Sequence, residues 1–119
     1  MNVVFLKGVL SSAPVTRHLA SGSVVVSLEV STAIDGAVAS VPVAWFDPPT
    51  AVTWEAGAEV VVDGVVRRRF FRSGGLTQSR TEVVATEVVA ADDRRGARRV
   101  VRRVVRRLGG DDAGGVRSG

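Results

Sequence analysis

The sequence of 119 residues contains no cysteine, no tyrosine and a single histidine, His18. Without thiols it cannot form disulfides, thiolate metal sites or a cysteine nucleophile, and a lone histidine offers no pattern for a metal site or a catalytic triad. No apolar run approaches the roughly 18 residues that a membrane span needs, and no basic segment precedes an apolar one at the N-terminus. We therefore expect a cytoplasmic protein that is not an enzyme, carries no metal or other cofactor and has no membrane partner.

Positive charge is concentrated at one end of the chain. Residues 1–91 carry seven basic and eight acidic side chains, whereas residues 92–119 carry nine arginines and four aspartates. Affinity for phosphate follows local charge rather than the total of the whole chain. We therefore divide the sequence into a nearly neutral domain of residues 1–91 and a basic, arginine-rich tail of residues 92–119.

Short valine-rich runs separated by Gly, Pro and Ser predict strands up to about residue 90, because β-branched side chains suit a pleated sheet. Between the third and fourth strands, Asp47 can cap a short helix that Pro48 opens. The predicted strands are 2–10, 23–33, 38–46, 59–72 and 80–90, with the helix within 47–58. This order predicts an all-β fold, the OB-fold, which is a five-stranded Greek-key barrel.

Several ordered segments are similar to those of the bacterial single-stranded DNA-binding protein family. They are Asn2–Leu10 followed by Pro14 and Arg17, Val43–Trp45, Gly57 with Val60–Gly64, and the hairpin from Arg67 through Ser73-Gly74-Gly75 to Ala85. The resemblance covers about residues 2–90. It implies an OB domain that binds single-stranded DNA without strong sequence preference in replication, repair or recombination, and that assembles into dimers or tetramers. Members devoted to replication end in an acidic tip, whereas Arg94–Leu108 is basic here, so we expect a short paralogue.

Binding of single strands without sequence preference requires aromatic faces for base stacking beside cations that follow the backbone. Strand alternation places Arg67, Arg69 and Phe71 on one face of the fourth predicted strand. Trp45 and Phe46 are adjacent, so only one of them faces outward, and we favour Trp45 as the stacking residue. The candidate DNA-binding residues are Phe71, Arg69, Arg67, Trp45, Phe46, Arg17, Lys7 and Arg80. For the strand residues the alternative is a solvated strand end, and for Arg17 and Lys7 it is an ordinary surface charge.

The opposite face of the fourth predicted strand carries the expected core residues Val60, Val62, Val66 and Phe70. On the first strand, Val3 and Phe5 face away from the predicted core, which favours a subunit contact. The partner would be another copy of the chain or a full-length relative. A rival function is a non-catalytic interaction or regulatory paralogue that oligomerises but binds DNA weakly, as a barrel without tyrosine and with little net charge would allow.

The tail repeats valine pairs and arginine pairs every four residues. Val100, Val101, Val104, Val105 and Leu108 recur at helical spacing, which predicts a basic amphipathic helix. Because closely spaced arginines repel one another, the alternative is a disordered tail. A helix here could contact phosphates, dock its apolar stripe on the barrel or a partner, or adsorb to an anionic membrane, and we favour contact with nucleic acid.

Overall fold

The computed structural model describes the backbone of residues 1–118 and the side chains of residues 1–109. Its architecture is mostly β, as expected, with a basic C-terminal helix. The elements are β1 (Val4–Leu10), β2 (Val15–His18), β3 (Val24–Ile34), β4 (Ala37–Phe46), β5 (Glu59–Ser73), β6 (Leu76–Ala90) and α1 (Arg94–Ser118). The short strand β2, which pairs with β3, was not predicted.

The six strands form one sheet in the order β1-β5-β6-β4-β3-β2. A further pairing of β1 with β3, at Val9–Ser31 and Leu10–Val30, returns the sheet on itself, so that five strands form a closed ring of hydrogen bonds. All the pairs are antiparallel except β4 with β6. The ring gives the sheet an inner face, which holds the core, and an outer face.

The main core fills the inner face with the apolar residues that alternation predicts. They include Leu10, Val26, Leu28, Val30, Val60 and Val62, each at most 2% exposed. The prediction is wrong for Val66 and Phe70, which are 45% and 67% exposed. Because β1 pairs with β5 only over Glu59–Gly64 and β4 pairs with β6 only over Val83–Ala85, the part of β5 and β6 beyond these pairings extends as a two-stranded hairpin, and solvent reaches both of its faces.

The predicted helix within 47–58 is absent, since no residue of that segment is helical in the structure. Asp47 adopts a positive φ of 49°, and its Oδ1 accepts a hydrogen bond of 2.8 Å from the Val24 amide instead of capping a helix. The segment nevertheless packs on the core, as Trp54 stacks on Trp45 with ring centroids 6.3 Å apart and planes 9° from parallel.

A bulge divides the long β5–β6 hairpin. Asp63 pairs with Glu87 but Gly64 pairs with Ala85, which leaves Thr86 as the extra residue. The extra residue reverses the facing of β6 beyond it, so that both Ala85 and Val88 point into the same core. Glycine is required at 64 because a Cβ there would lie 2.3 Å from the Val84 carbonyl oxygen.

Helix α1 packs on the outer face of β5 and β6. Asp93 begins it by accepting a hydrogen bond of 3.0 Å from the Gly96 amide. Val100 and Val104 are buried against Val61 and Val89 in a second, smaller core. Of the three interactions considered for the tail helix, docking on the sheet is observed for Val100 and Val104. Within the described part of the chain, no helix has the length and apolar character needed to cross a membrane.

Candidate nucleic-acid interface

A groove of about 240 Å³ runs across the outer face of the sheet from β2 to β5. Its basic and aromatic lining comes from three separate strands, with Arg17 on β2, Phe46 on β4, and Arg67 and Arg69 on β5. Val25 and Ala44 form the apolar floor between them. Folding thus brings together four of the predicted DNA-binding residues that are up to 52 positions apart in the sequence.

The choice between Trp45 and Phe46 is settled by the register of β4. Trp45 is opposite Val26 and points into the core, where it is 6% exposed. Phe46 is opposite Val25, points outward into the groove and is 39% exposed. The preference for Trp45 as the outward-facing residue is therefore wrong, and Phe46 is the aromatic that a ligand could reach.

Arg67 and Phe46 form the centre of the groove. The guanidinium carbon of Arg67 lies 5.5 Å from the centroid of the Phe46 ring, within the range of a cation–π contact. Arg67 Nη2 also donates a hydrogen bond of 3.1 Å to Glu82 Oε2, and Arg69 Nη1 lies 3.9 Å from Glu82 Oε1. Because Glu82 is only 5% exposed, it restrains both arginines within the groove, while Phe46 next to them remains 39% exposed.

The groove continues toward the β5–β6 hairpin. Arg80 lies across from Arg69 on β6 and donates a hydrogen bond of 2.8 Å to Glu29 Oε1. Phe71 shares the strand face of Arg69, as predicted, and is 37% exposed. A smaller depression shares Ser27, Ala44, Arg69 and Glu82 with the groove and adds Arg80. Together these residues form a continuous surface suited to base stacking and phosphate contact.

Three predicted residues lie elsewhere. Lys7 is on β1 opposite Val61 and does not line the groove. Val3 packs against the second core beneath α1, so the chain's own helix covers much of the residue that was expected to face a partner. Phe5, across from Asp63 on the same outer face, is 45% exposed.

Sequence reasoning missed an ionic network beneath α1. Asp63 is fully buried and accepts a hydrogen bond from Arg107. Arg103 Nε lies 2.9 Å from Asp63 Oδ2, a contact that is an ion pair without hydrogen-bond geometry. Arg103 and Arg99 both bind Glu87. The available signal was the spacing of these arginines at every fourth position, which places them on one side of a helix.

Charge interactions in this network alter protonation. Partial burial opposes ionisation of Glu87, but hydrogen bonds from Arg99 and Arg103 outweigh it and hold the pKa of Glu87 below its ordinary value. The same hydrogen bond to Glu87 raises the pKa of Arg99. Both groups therefore stay charged near neutral pH and favour the docked position of α1.

The described residues contain no group of His, Asp and Glu side chains placed to hold a metal ion. No protein-family model matches the chain, and no curated protein matches it.

Proposed function

We propose that this chain is a cytoplasmic, non-catalytic OB-fold protein of the single-stranded DNA-binding family, acting in replication, repair or recombination. The ring of five strands, in which only β4 and β6 are parallel, supports the OB-fold assignment. The position of the groove, on the strands rather than in a closed cavity, supports a ligand that is long and flexible.

The observation that carries the proposal is the ring of Phe46, which is 39% exposed and has the guanidinium of Arg67 over it. A base stacked on Phe46 would place its own phosphate near Arg67, Arg69 or Arg17, which line the same groove. Such contacts involve only the π-face of the base and the phosphate backbone, which all nucleotides share, so the expected binding has little sequence preference.

The test is titration of a fluorescently labelled oligo-dT with the full chain and with F46A. Loss of one stacked base costs about 1–3 kcal/mol, so F46A should weaken binding by about 5- to 150-fold. F70A is the matched control, because Phe70 is on the same strand as Arg67 and is more exposed than Phe46, at 67%, but faces away from Arg67. Equal affinities for F46A, F70A and the unsubstituted chain would refute the assignment of the groove.

A second candidate function is an interaction or regulatory paralogue that binds DNA weakly. It is favoured by the acids within the groove, because Glu82 faces Arg67 and Arg69, and Glu29 pairs with Arg80. These carboxylates offset part of the positive charge that would attract phosphates. Under this proposal the chain would associate with another copy or with a full-length relative, and exposed Phe5 is the residue we assign to that contact.

A further inference from the structure

The outermost side of α1 is a row of arginines. Helical spacing places Arg95, Arg98, Arg102 and Arg106 about half a turn away from Val100 and Val104, which face the sheet. All four arginines are exposed. We call this row the arginine ridge, and at 1.5 Å per residue it is about 17 Å long.

No acidic side chain offsets the charge of the arginine ridge, unlike that of the arginines beside it. Arg99, Arg103 and Arg107 face Glu87 or Asp63 and are neutralised by them. Among residues 1–109, whose side chains the structure describes, no acidic group forms an ion pair with a member of the ridge. The positive potential of α1 is therefore directed away from the sheet, toward whatever approaches the helix.

We propose that the arginine ridge binds the phosphate backbone of double-stranded DNA, as a second nucleic-acid site distinct from the groove. The ridge carries no aromatic side chain, so it cannot stack unpaired bases as the groove can. A row of cations along a rigid helix suits a stiff polyanion. Duplex DNA presents one charge per about 1.7 Å of axis, twice the density of one strand, and so gains most from such a row.

The position of the apolar residues on α1 argues against a lipid surface as the ligand. Val101, Val105 and Leu108 are 43%, 60% and 38% exposed, but helical spacing places them on the flank between the ridge and the sheet. A helix that inserts into a membrane interface presents its apolar side to the lipid. Here the side farthest from the sheet is arginine, which favours a hydrated polyanion.

The two sites lie on opposite sides of the bulge in the β5–β6 hairpin. The groove uses Arg67 and Arg69, beyond the bulge, whereas α1 packs on Val61 and binds Asp63, before it. Neither site uses the residues of the other. A single-stranded segment in the groove and a duplex on the ridge can therefore be bound together, as at a junction between the two.

The experiment measures binding of a labelled blunt-ended duplex by the full chain over a range of salt concentrations. The test variant is R98Q/R102Q, since glutamine removes the charge but has nearly the helix propensity of arginine. The control R68Q/R72Q removes the same charge from exposed positions of the β5–β6 hairpin that do not line the groove. Helix content by circular dichroism verifies that α1 is retained.

We expect R98Q/R102Q to weaken duplex binding at low salt by about tenfold and to reduce the slope of log K against log salt by about 1.8, or 0.9 per lost phosphate contact. R68Q/R72Q and F46A should bind duplex as the unsubstituted chain does. Unchanged duplex binding by R98Q/R102Q, equal loss in R68Q/R72Q, or no duplex binding by the unsubstituted chain would each overturn the proposal. Failure of the groove proposal is seen separately, as oligo-dT binding that F46A leaves unaltered.

Discussion

Replacement of Asp63 by asparagine tests whether the buried ion pairs hold α1 on the sheet. D63N preserves the size of the side chain but removes the charge that faces Arg103 and Arg107. Removing one partner of a buried ion pair costs about 3–5 kcal/mol. Both arginine side chains are 32% exposed and Arg103 retains Glu87, so solvent and the remaining acid reduce the cost to about 2–3 kcal/mol.

The expected loss corresponds to a decrease in Tm of about 6–15 °C for a chain of this size. Thermal and urea unfolding followed by circular dichroism would measure it. The control is D35N, which makes the same chemical change at an exposed turn residue, where asparagine also tolerates the positive φ of 51°. Its effect should remain within about 0.5 kcal/mol. If D63N were as stable as D35N, the ionic network would not be what stabilises the docked helix.

Digestion with trypsin, which cleaves after arginine, is a second test of whether the ionic network holds α1 on the sheet. While α1 is docked, the bonds after Arg103 and Arg107 lie in a helix held against the sheet. D63N should increase cleavage there at a temperature where the ring of strands remains folded, because local opening exposes the backbone. Cleavage at the rate of the unsubstituted chain, together with a lowered Tm, would instead mean that the charge acts on the sheet and not on the helix.

Three further predictions concern charge and association. E82Q should tighten oligo-dT binding and steepen its salt slope by about 0.7, because Arg67 is freed from Glu82 to contact one more phosphate. Unchanged affinity and slope would contradict a role for Arg67 in binding. Because the pKa of Glu87 is lowered in the folded state, its stabilising contribution is complete above the ordinary glutamate value of about 4.3 and is lost as pH falls through the lower folded value. E87Q should therefore be less stable than the unsubstituted chain at pH 7, and a difference that persisted in strong acid would contradict the ionic explanation. F5S should reduce the mass measured by sedimentation velocity, while V9S, also exposed on β1, should not.

The strand pattern was readable from the sequence because alternation is a local property of a half-buried strand. Val26, Leu28 and Val30 face the core as period two requires. The same rule failed at Phe70, since alternation does not reveal where β5 leaves the sheet and becomes a hairpin. Alternation also could not predict that Asp47 would not cap a helix, because its side chain instead accepts a hydrogen bond from an amide 23 residues earlier in the sequence.

The candidate groove was predictable in its composition but not in its geometry. Alternation correctly placed Arg67 and Arg69 together, because they belong to one strand. Whether Trp45 or Phe46 joined them depended on the register of β4 against β3, which is fixed by long-range pairing. Lys7 had the right charge for the groove, but its strand β1 and strand β6 flank β5 on opposite sides. The charge of a residue does not show where it lies in the sheet.

The arginines of α1 show how far composition differs from available charge. Those up to residue 107 occur as adjacent pairs, and from residue 98 onward the first of each pair faces solvent while the second binds an acid of the sheet. The pairs are Arg98–Arg99, Arg102–Arg103 and Arg106–Arg107. By charge alone, all six belong to one basic tail. Once the helix is docked, the second member of each pair stabilises the fold and the first member remains available to a ligand. Neutralising the second members should therefore release the helix, whereas neutralising the first members should alter binding without loss of the fold.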